Sequence, residues 1–256
     1  MITVRHISKS FNGKKVLHDV SIDFERGKTN LVIGQSGSGK TVLLKSIVGL
    51  YGVDEGEIIY DNIIFNKLNF MEQNNIRKQM GMLFQGSALF DSFTVEENII
   101  FPMDMFTTMS KKEKIDRANF CLNRVNILNA NHLYPSELSG GMQKRVGIAR
   151  AIALNPKYLF CDEPNSGLDP KTSIMIDKLI KEITEEFNIT TIVNTHDMNS
   201  VMEIGDKVVF IFEGEIAWEG SSKDVLMSEN EKLNNFVFAT PLTKRLKALR
   251  NNSQPI

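Results

Sequence analysis

The chain has 256 residues, 42% of them hydrophobic, with 30 basic and 31 acidic side chains and a formal charge of −1. Such a balance supplies a real core and excludes a disordered or fibrous chain, and it gives no global field toward nucleic acid or an anionic membrane. The two cysteines, Cys121 and Cys161, lie in apolar patterns, which suits a reducing compartment and excludes a disulfide framework. The sequence reads without a signal peptide or an apolar run of bilayer-spanning length, so any membrane role is expected to come through a partner.

In chain order, residues 1–25 alternate in strand fashion, as at Val20, Ile22 and Phe24. Thr29 to Ile33 is a short β-branched run that reads as a buried strand, and Thr41 to Gly49 carries apolar residues at helical spacing. Between them lies Gly34-Gln35-Ser36-Gly37-Ser38-Gly39-Lys40-Thr41. In a strand–loop–helix setting, the glycines let successive backbone N–H groups converge on a pyrophosphate, and the helix N-terminus adds partial positive charge. Lys40 is expected to reach the β- and γ-phosphates and the Thr41 hydroxyl to hold Mg²⁺. A glycine-rich turn with a chance lysine is the competing reading, and the number of specified positions disfavours it.

Glu57 to Phe65 reads as a hairpin turning at Asp61-Asn62, so a small antiparallel layer is expected beside the glycine-rich loop. Met80 to Phe84 is another buried strand, ending at Gln85. The stretch from about 94 to 155 reads as helical. Thr94 with Glu97 and Ser110 with Glu113 have capping-box spacing, and Ile115, Ala118, Leu122 and Val125 form a stripe. Strands at Tyr158 to Cys161, Thr190 to Asn194 and Lys207 to Phe212, with a helix starting at Pro170, then predict a doubly wound sheet whose ligands bind at the carboxyl ends of its strands. Asp162 and Glu163 sit at such an end, where one carboxylate can hold Mg²⁺ through its water shell and the other can orient an attacking water. His196 follows its strand with only Thr195 between. His6, His18 and His132 have no comparable context.

With these residues in order, the sequence resembles the nucleotide-binding subunit of an ABC transporter from about residue 2 to 228. Leu138-Ser139-Gly140-Gly141-Met142, before the stripe Val146, Ala149 and Ala153, resembles that family's signature loop. Gln85 matches the glutamine loop, Ser166-Gly167-Leu168-Asp169 the D-loop, His196 the switch histidine and Phe11 the aromatic that stacks on adenine. Packed core is the competing reading for Phe11, an ordinary polar strand end for Gln85 and a capped surface histidine for His196.

The resemblance implies an α/β fold: a P-loop NTPase core with a mostly parallel sheet, an N-terminal antiparallel β layer and an inserted helical subdomain. Its expected division within one domain is about 1–92 and 156–228 for the ATP-binding core, about 93–155 for the helical subdomain and about 229–256 for a C-terminal extension. It implies an ATPase using ATP and Mg²⁺, with Glu163, His196, Gln85 and Lys40 as catalytic groups. ATP contacts are implied for Phe11, Gly34, Ser36, Gly37, Ser38, Gly39, Lys40, Thr41, Ser139, Gly140, Gly141 and Asp169, and Mg²⁺ contacts for Thr41, Gln85 and Asp162. The implied partners are a second copy of the chain, the two closing around two ATP, and an integral membrane permease, with the chain itself peripheral at the cytoplasmic face of the inner (plasma) membrane. Ser139 and Gly141 would face the γ-phosphate bound by the other copy.

Three features narrow the resemblance. Met142 stands where most relatives carry Gln, Gly167 to Pro170 follows Glu163, and the run from Leu83 to Val95 is followed by Glu97, Asn98, Ile99 and Pro102. Together they are similar to the ATPase subunits of Mla-type (MCE-associated) phospholipid transporters, which implies phospholipid cargo and an MCE-domain protein as a further partner. The ATPase of a small-solute importer is the alternative. A soluble ABC-type ATPase acting on DNA or ribosomes is disfavoured, because the coiled-coil insertion, second cassette and basic stripe it would need are missing, and no nucleic-acid partner is expected. Thr240 to Arg250 reads as a short amphipathic helix, either a solvated face or a surface docking on the second subunit or the inner leaflet.

Overall fold

A computed structural model of the chain describes residues 1–239; the helix expected over 240–250 lies outside the described residues. Two sheets form. The smaller has the order β2-β1-β4-β5 and is antiparallel throughout, from β1 (Ile2–Phe11), β2 (Lys14–Phe24), β4 (Glu55–Tyr60) and β5 (Ile63–Ile64). Both of its hairpins turn on two residues with positive φ, Asn12-Gly13 and Asp61-Asn62, the geometry that keeps a tight turn in step with strand twist. The expected antiparallel layer and its second turn are therefore present.

The larger sheet has the order β10-β9-β3-β8-β7-β6, from β3 (Thr29–Ile33), β6 (Met80–Leu83), β7 (Tyr158–Asp162), β8 (Thr190–Thr195), β9 (Lys207–Phe212) and β10 (Glu215–Gly220). Its pairings are parallel except for the β9–β10 edge. β3 lies inside it, between β8 and β9, and is buried along its whole length. Leu31 and Ile33 enter one apolar cluster, which also holds the helical lobe, and Val32 enters the other, shared with the small sheet. A strand covered on both faces has no solvent side, which is why Leu31-Val32-Ile33 is an unbroken apolar run rather than an alternating one.

α1 (Lys40–Ile47) follows β3. α3 (Val95–Phe106), α4 (Lys111–Arg124) and α5 (Gly140–Ala151) lie in the chain between β6 and β7, and α6 (Pro170–Glu186) between β7 and β8. The capping boxes Thr94/Glu97 and Ser110/Glu113 both form, and Ala118, Leu122 and Val125 are buried. The expected continuous helical stretch is interrupted between α4 and α5, where Asn126 and Asn129 take left-handed φ and Pro135 opens a 3₁₀ turn.

α2 (Phe70–Arg77) is not anticipated by the sequence reading. It buries only Ile76 and so shows no apolar stripe, although Asn69 and Glu72 close a capping box. β10 and three short helices, α7 (Met198–Ile204), α8 (Ser222–Met227) and α9 (Glu231–Val237), are likewise additions. Among the described residues no helix is long and apolar enough to cross a membrane.

Candidate functional site

The loop between β3 and α1 is shaped by close backbone approach. Gly34 has φ +154°, and a Cβ there would meet the Ile211 carbonyl oxygen at 2.3 Å; Gly39 has φ +109° with Val16 O 3.3 Å from the same imagined atom. Only glycine fits Gly34, because a side chain would overlap fixed backbone of β9. Lys40 folds back over this loop, 6% exposed, and its Nζ donates to Gly34 O at 2.8 Å and Gln35 O at 3.1 Å. Burial holds its pKa below the usual lysine value, with Glu163 and Asp162 pulling it back up.

The carboxylates come from the end of β7. Asp162 is 6% exposed and accepts from Thr41 Oγ1 at 3.3 Å and from Asn194 Nδ2 at 3.1 Å. Glu163 takes a left-handed φ of 50°, its backbone N–H donating to Asn194 O at 3.0 Å, and its Oε2 lies 2.8 Å from His196 Nδ1. β7 and β8 pair in parallel, so Glu163 and His196 leave the sheet side by side. From the next strand over, Gln85 follows β6 and donates through Nε2 to Ser166 Oγ at 3.3 Å.

These groups surround one open cavity of about 680 Å³, lined by Gln35, Ser36, Gly37, Gly39, Lys40, Thr41, Gln85, Glu163 and His196. Val16 and Phe236 line it as well. A nucleotide with Mg²⁺ fits this arrangement. The loop supplies a buried cation at Lys40, Ser38 Oγ is buried without a partner, and Thr41 beside Asp162 is a hard-oxygen donor pair of the kind Mg²⁺ takes together with phosphate oxygens. A second cavity of about 620 Å³ shares Glu163 and His196 and continues over Asn165, Ser166, Gly167 and Leu168 toward the start of α6.

Five predicted residues stand apart from the glycine-rich loop and its cavity. Ser139 caps α5, its Oγ accepting from Met142 N at 3.3 Å, and Ser139 and Gly140 are exposed. Gly141 is packed so that a Cβ would meet Thr172 Cγ2 at 2.6 Å. Asp169 caps α6, accepting from Thr172 N at 3.0 Å, and the Thr172 hydroxyl and amide hold its carboxyl below the usual range. Phe11 ends β1 at 38% exposure, packs edge-to-face on Tyr51 at 5.2 Å and has Lys9 Nζ 5.3 Å over its ring.

Sequence reasoning missed several members. Asn194, the second donor on Asp162, was legible only as a polar residue inside an apolar strand. Phe236 reaches the cavity from α9 by stacking on Phe210, with ring centroids 5.3 Å apart and planes at 30°, and no local motif announces it. Just before Ser166, Asn165 Nδ2 donates to Asp177 Oδ1 at 2.9 Å and to Ser200 Oγ at 3.0 Å, linking three segments of the chain.

The family model described as ABC transporter matches residues 17–166. The methionine import ATP-binding protein of Carboxydothermus hydrogenoformans is 38% identical over 249 residues, covering 96% of this chain and 74% of that protein. The corresponding Campylobacter jejuni protein is 36% identical over 253 residues, covering 93% and 75%. Among solved structures, the ATP-binding cassette MJ0796, as a dimer in a post-hydrolysis state bound to ADP and Pi, matches with TM-score 0.78 and 34% identity over 87% of this chain and 99% of that one. The Clostridium perfringens protein cbiO1, part of the ABC transporter complex cbiONQ, matches with TM-score 0.83 and 27% identity over 98% of both chains.

Proposed function

The chain belongs to the ABC transporter family as an ATP-binding, ATP-hydrolysing subunit, and from that premise we propose that it powers the import of a small solute, working as a pair of copies under a membrane permease at the cytoplasmic face. The observation that carries the chemistry is the convergence of Lys40, Thr41, Glu163 and His196 on one cavity. Support for the solute class comes from the methionine import proteins, which resemble this chain over nearly its whole length.

In the proposed cycle, Lys40 and the N–H groups of Gly34 to Thr41 hold the β- and γ-phosphates. Thr41 and Asp162, with Gln85 beside them, would hold Mg²⁺, which when bound offsets phosphate charge. Glu163 orients the attacking water, with His196 against its carboxylate. Phe11 would stack on the adenine. Ser139, Gly140 and Gly141, at the exposed N-terminus of α5, offer an anion site to the partner copy's γ-phosphate. Asp169 belongs to the same contact edge. Hydrolysis removes the anion that bridges the copies, and their opening is the output delivered to the permease.

Phospholipid trafficking is the second reading. It rests on the run from Leu83 to Val95, in which Phe90 and Phe93 gather with Phe101 at centroid distances of 4.8 to 6.0 Å and Phe90 stays exposed. The named relatives favour the solute reading over it. Purifying the tagged chain from mildly solubilised native membranes separates the two. A permease with a solute-binding protein, and ATPase activity stimulated by a solute such as methionine, is the expected result. A permease with an MCE-domain protein and bound phospholipid would replace it with the second reading.

A further inference from the structure

Lys144 is an amine that the chemistry above leaves without a task. It lies on α5 only 4% exposed, where burial lowers its pKa and Cys161, Glu163 and Asp162 partly restore it. Desolvating an ammonium is costly, so a lysine kept there must make contacts that an apolar residue of the same length could not. Its Nζ donates to the backbone carbonyl of Gln85.

The contact belongs to a larger strap. Further along α5, Arg150 donates to Ala88 O at 2.7 Å and Ser87 O at 2.8 Å. Between the two cations sits Gly147, where a Cβ would meet Leu83 Cδ1 at 2.7 Å and Ser87 Cβ at 3.6 Å, so the missing side chain lets helix and loop lie against each other. Ser87 and Ala88 take left-handed φ values of 61° and 47°. The segment from Gln85 to Ala88 is thus fastened to α5 through three of its carbonyls, while the Gln85 side chain points the other way, into the phosphate cavity and onto Ser166.

We propose that Lys144 is a positioning residue for hydrolysis: by gripping the Gln85 carbonyl it sets the Gln85 amide in the phosphate cavity and ties that placement to the helix that begins at Ser139. Lys144 lies five positions after Ser139, the N-cap of the same helix, about 7.5 Å along its axis. A shift of α5 when Ser139 to Gly141 engage the partner copy's nucleotide is therefore passed to Gln85 without an intervening loop. This rests on the reading that Gln85 acts at Mg²⁺ and the attacking water.

The test is a double-mutant cycle on the full chain in its native membrane complex, reading kcat, KM for ATP and the melting temperature. Lys144→Met should lower kcat about tenfold or more, as loss of an outer-shell partner does, with KM for ATP little changed. Lys144→Arg should restore most of the rate, and adding Lys144→Met to Gln85→Ala should cost little beyond Gln85→Ala alone. An undiminished kcat in Lys144→Met, an additive double mutant, or a loss that follows melting temperature and is not rescued by arginine would overturn the proposal while leaving the role of Gln85 standing. Full activity in Gln85→Ala would instead remove the underlying reading, and the proposal with it.

Discussion

The glycine-rich loop and the signature loop are both helix N-termini rich in glycine and serine, yet the fold treats them oppositely. The first is furnished by its own copy: Lys40 is 6% exposed and bonded to two loop carbonyls, Asp162 is 6% exposed, and Glu163 and His196 stand side by side at the cavity. At the second, Ser139 and Gly140 are exposed, and among the described residues no cationic side chain bonds to them in the way Lys40 bonds to its loop. One end is a furnished anion site and the other a bare one. A bare helix N-terminus becomes useful when another molecule brings the anion, which is the physical case for two half-sites in one chain.

The largest effects should fall on the furnished side. Glu163→Gln is expected to lower kcat by about 10²- to 10⁴-fold, the range for losing a base or water-positioning carboxylate, while equilibrium ATP binding persists; Lys40→Ala should weaken both. Parallel turnover and nucleotide-binding measurements check this, and an active Glu163→Gln protein would remove the assignment.

Equivalent glycine substitutions set the two loops directly against each other. Gly34→Ala forces a Cβ onto the Ile211 carbonyl at a φ of +154° and should destabilise by about 1–3 kcal/mol from the backbone alone, with ATP binding lost. Gly141→Ala meets the Thr172 side chain, at 2.6 Å from Cγ2, but no fixed backbone, so its loss of stability should be the smaller of the two, about 1 kcal/mol or less, while turnover falls. Melting curves beside turnover rates distinguish the two, and equal loss of stability in both variants would break the comparison.

An effect on stability alone is expected on α6, at Asp177. Burial raises the Asp177 carboxyl from 3.8 to about 6, with Asp197 and Glu203 adding to the rise and the bonds from Ser200 and Asn165 opposing it. The folded state then holds a proton that the unfolded chain has released, so this group's contribution to stability declines as pH rises from about 4 to 6 and is level above that. Asp177→Asn should abolish that decline, gaining about 1–3 kcal/mol relative to the parent between pH 4 and pH 7. Denaturant titrations across this range read it directly, and parallel pH profiles for the two proteins would count against a neutral Asp177.

Much of the furnished site is legible in the sequence because its determinants are local. A β-branched run, a glycine-rich loop and a helix start are contiguous, and Asp162, Glu163 and His196 each follow an apolar run with at most two residues between. Capping boxes fix α3 and α4 for the same reason. What escaped depends on pairing across the chain. Asn194 reaches Asp162 only because β7 and β8 are neighbours, and Phe236 arrives at the cavity by stacking on a strand residue far away in sequence. α2 was invisible because it buries a single residue. Cargo is least legible, since the residues that read ATP say nothing of what the permease carries.

Whether one copy completes the other is tested most directly by mixing two inactive variants, Glu163→Gln and Ser139→Arg, in equal amounts and measuring turnover. With symmetric pairing, half of the dimers carry both variants and each of those keeps one intact site built from both copies, so activity should return to about a quarter of the parent rate. A mixture as inactive as its two components would contradict the half-site account.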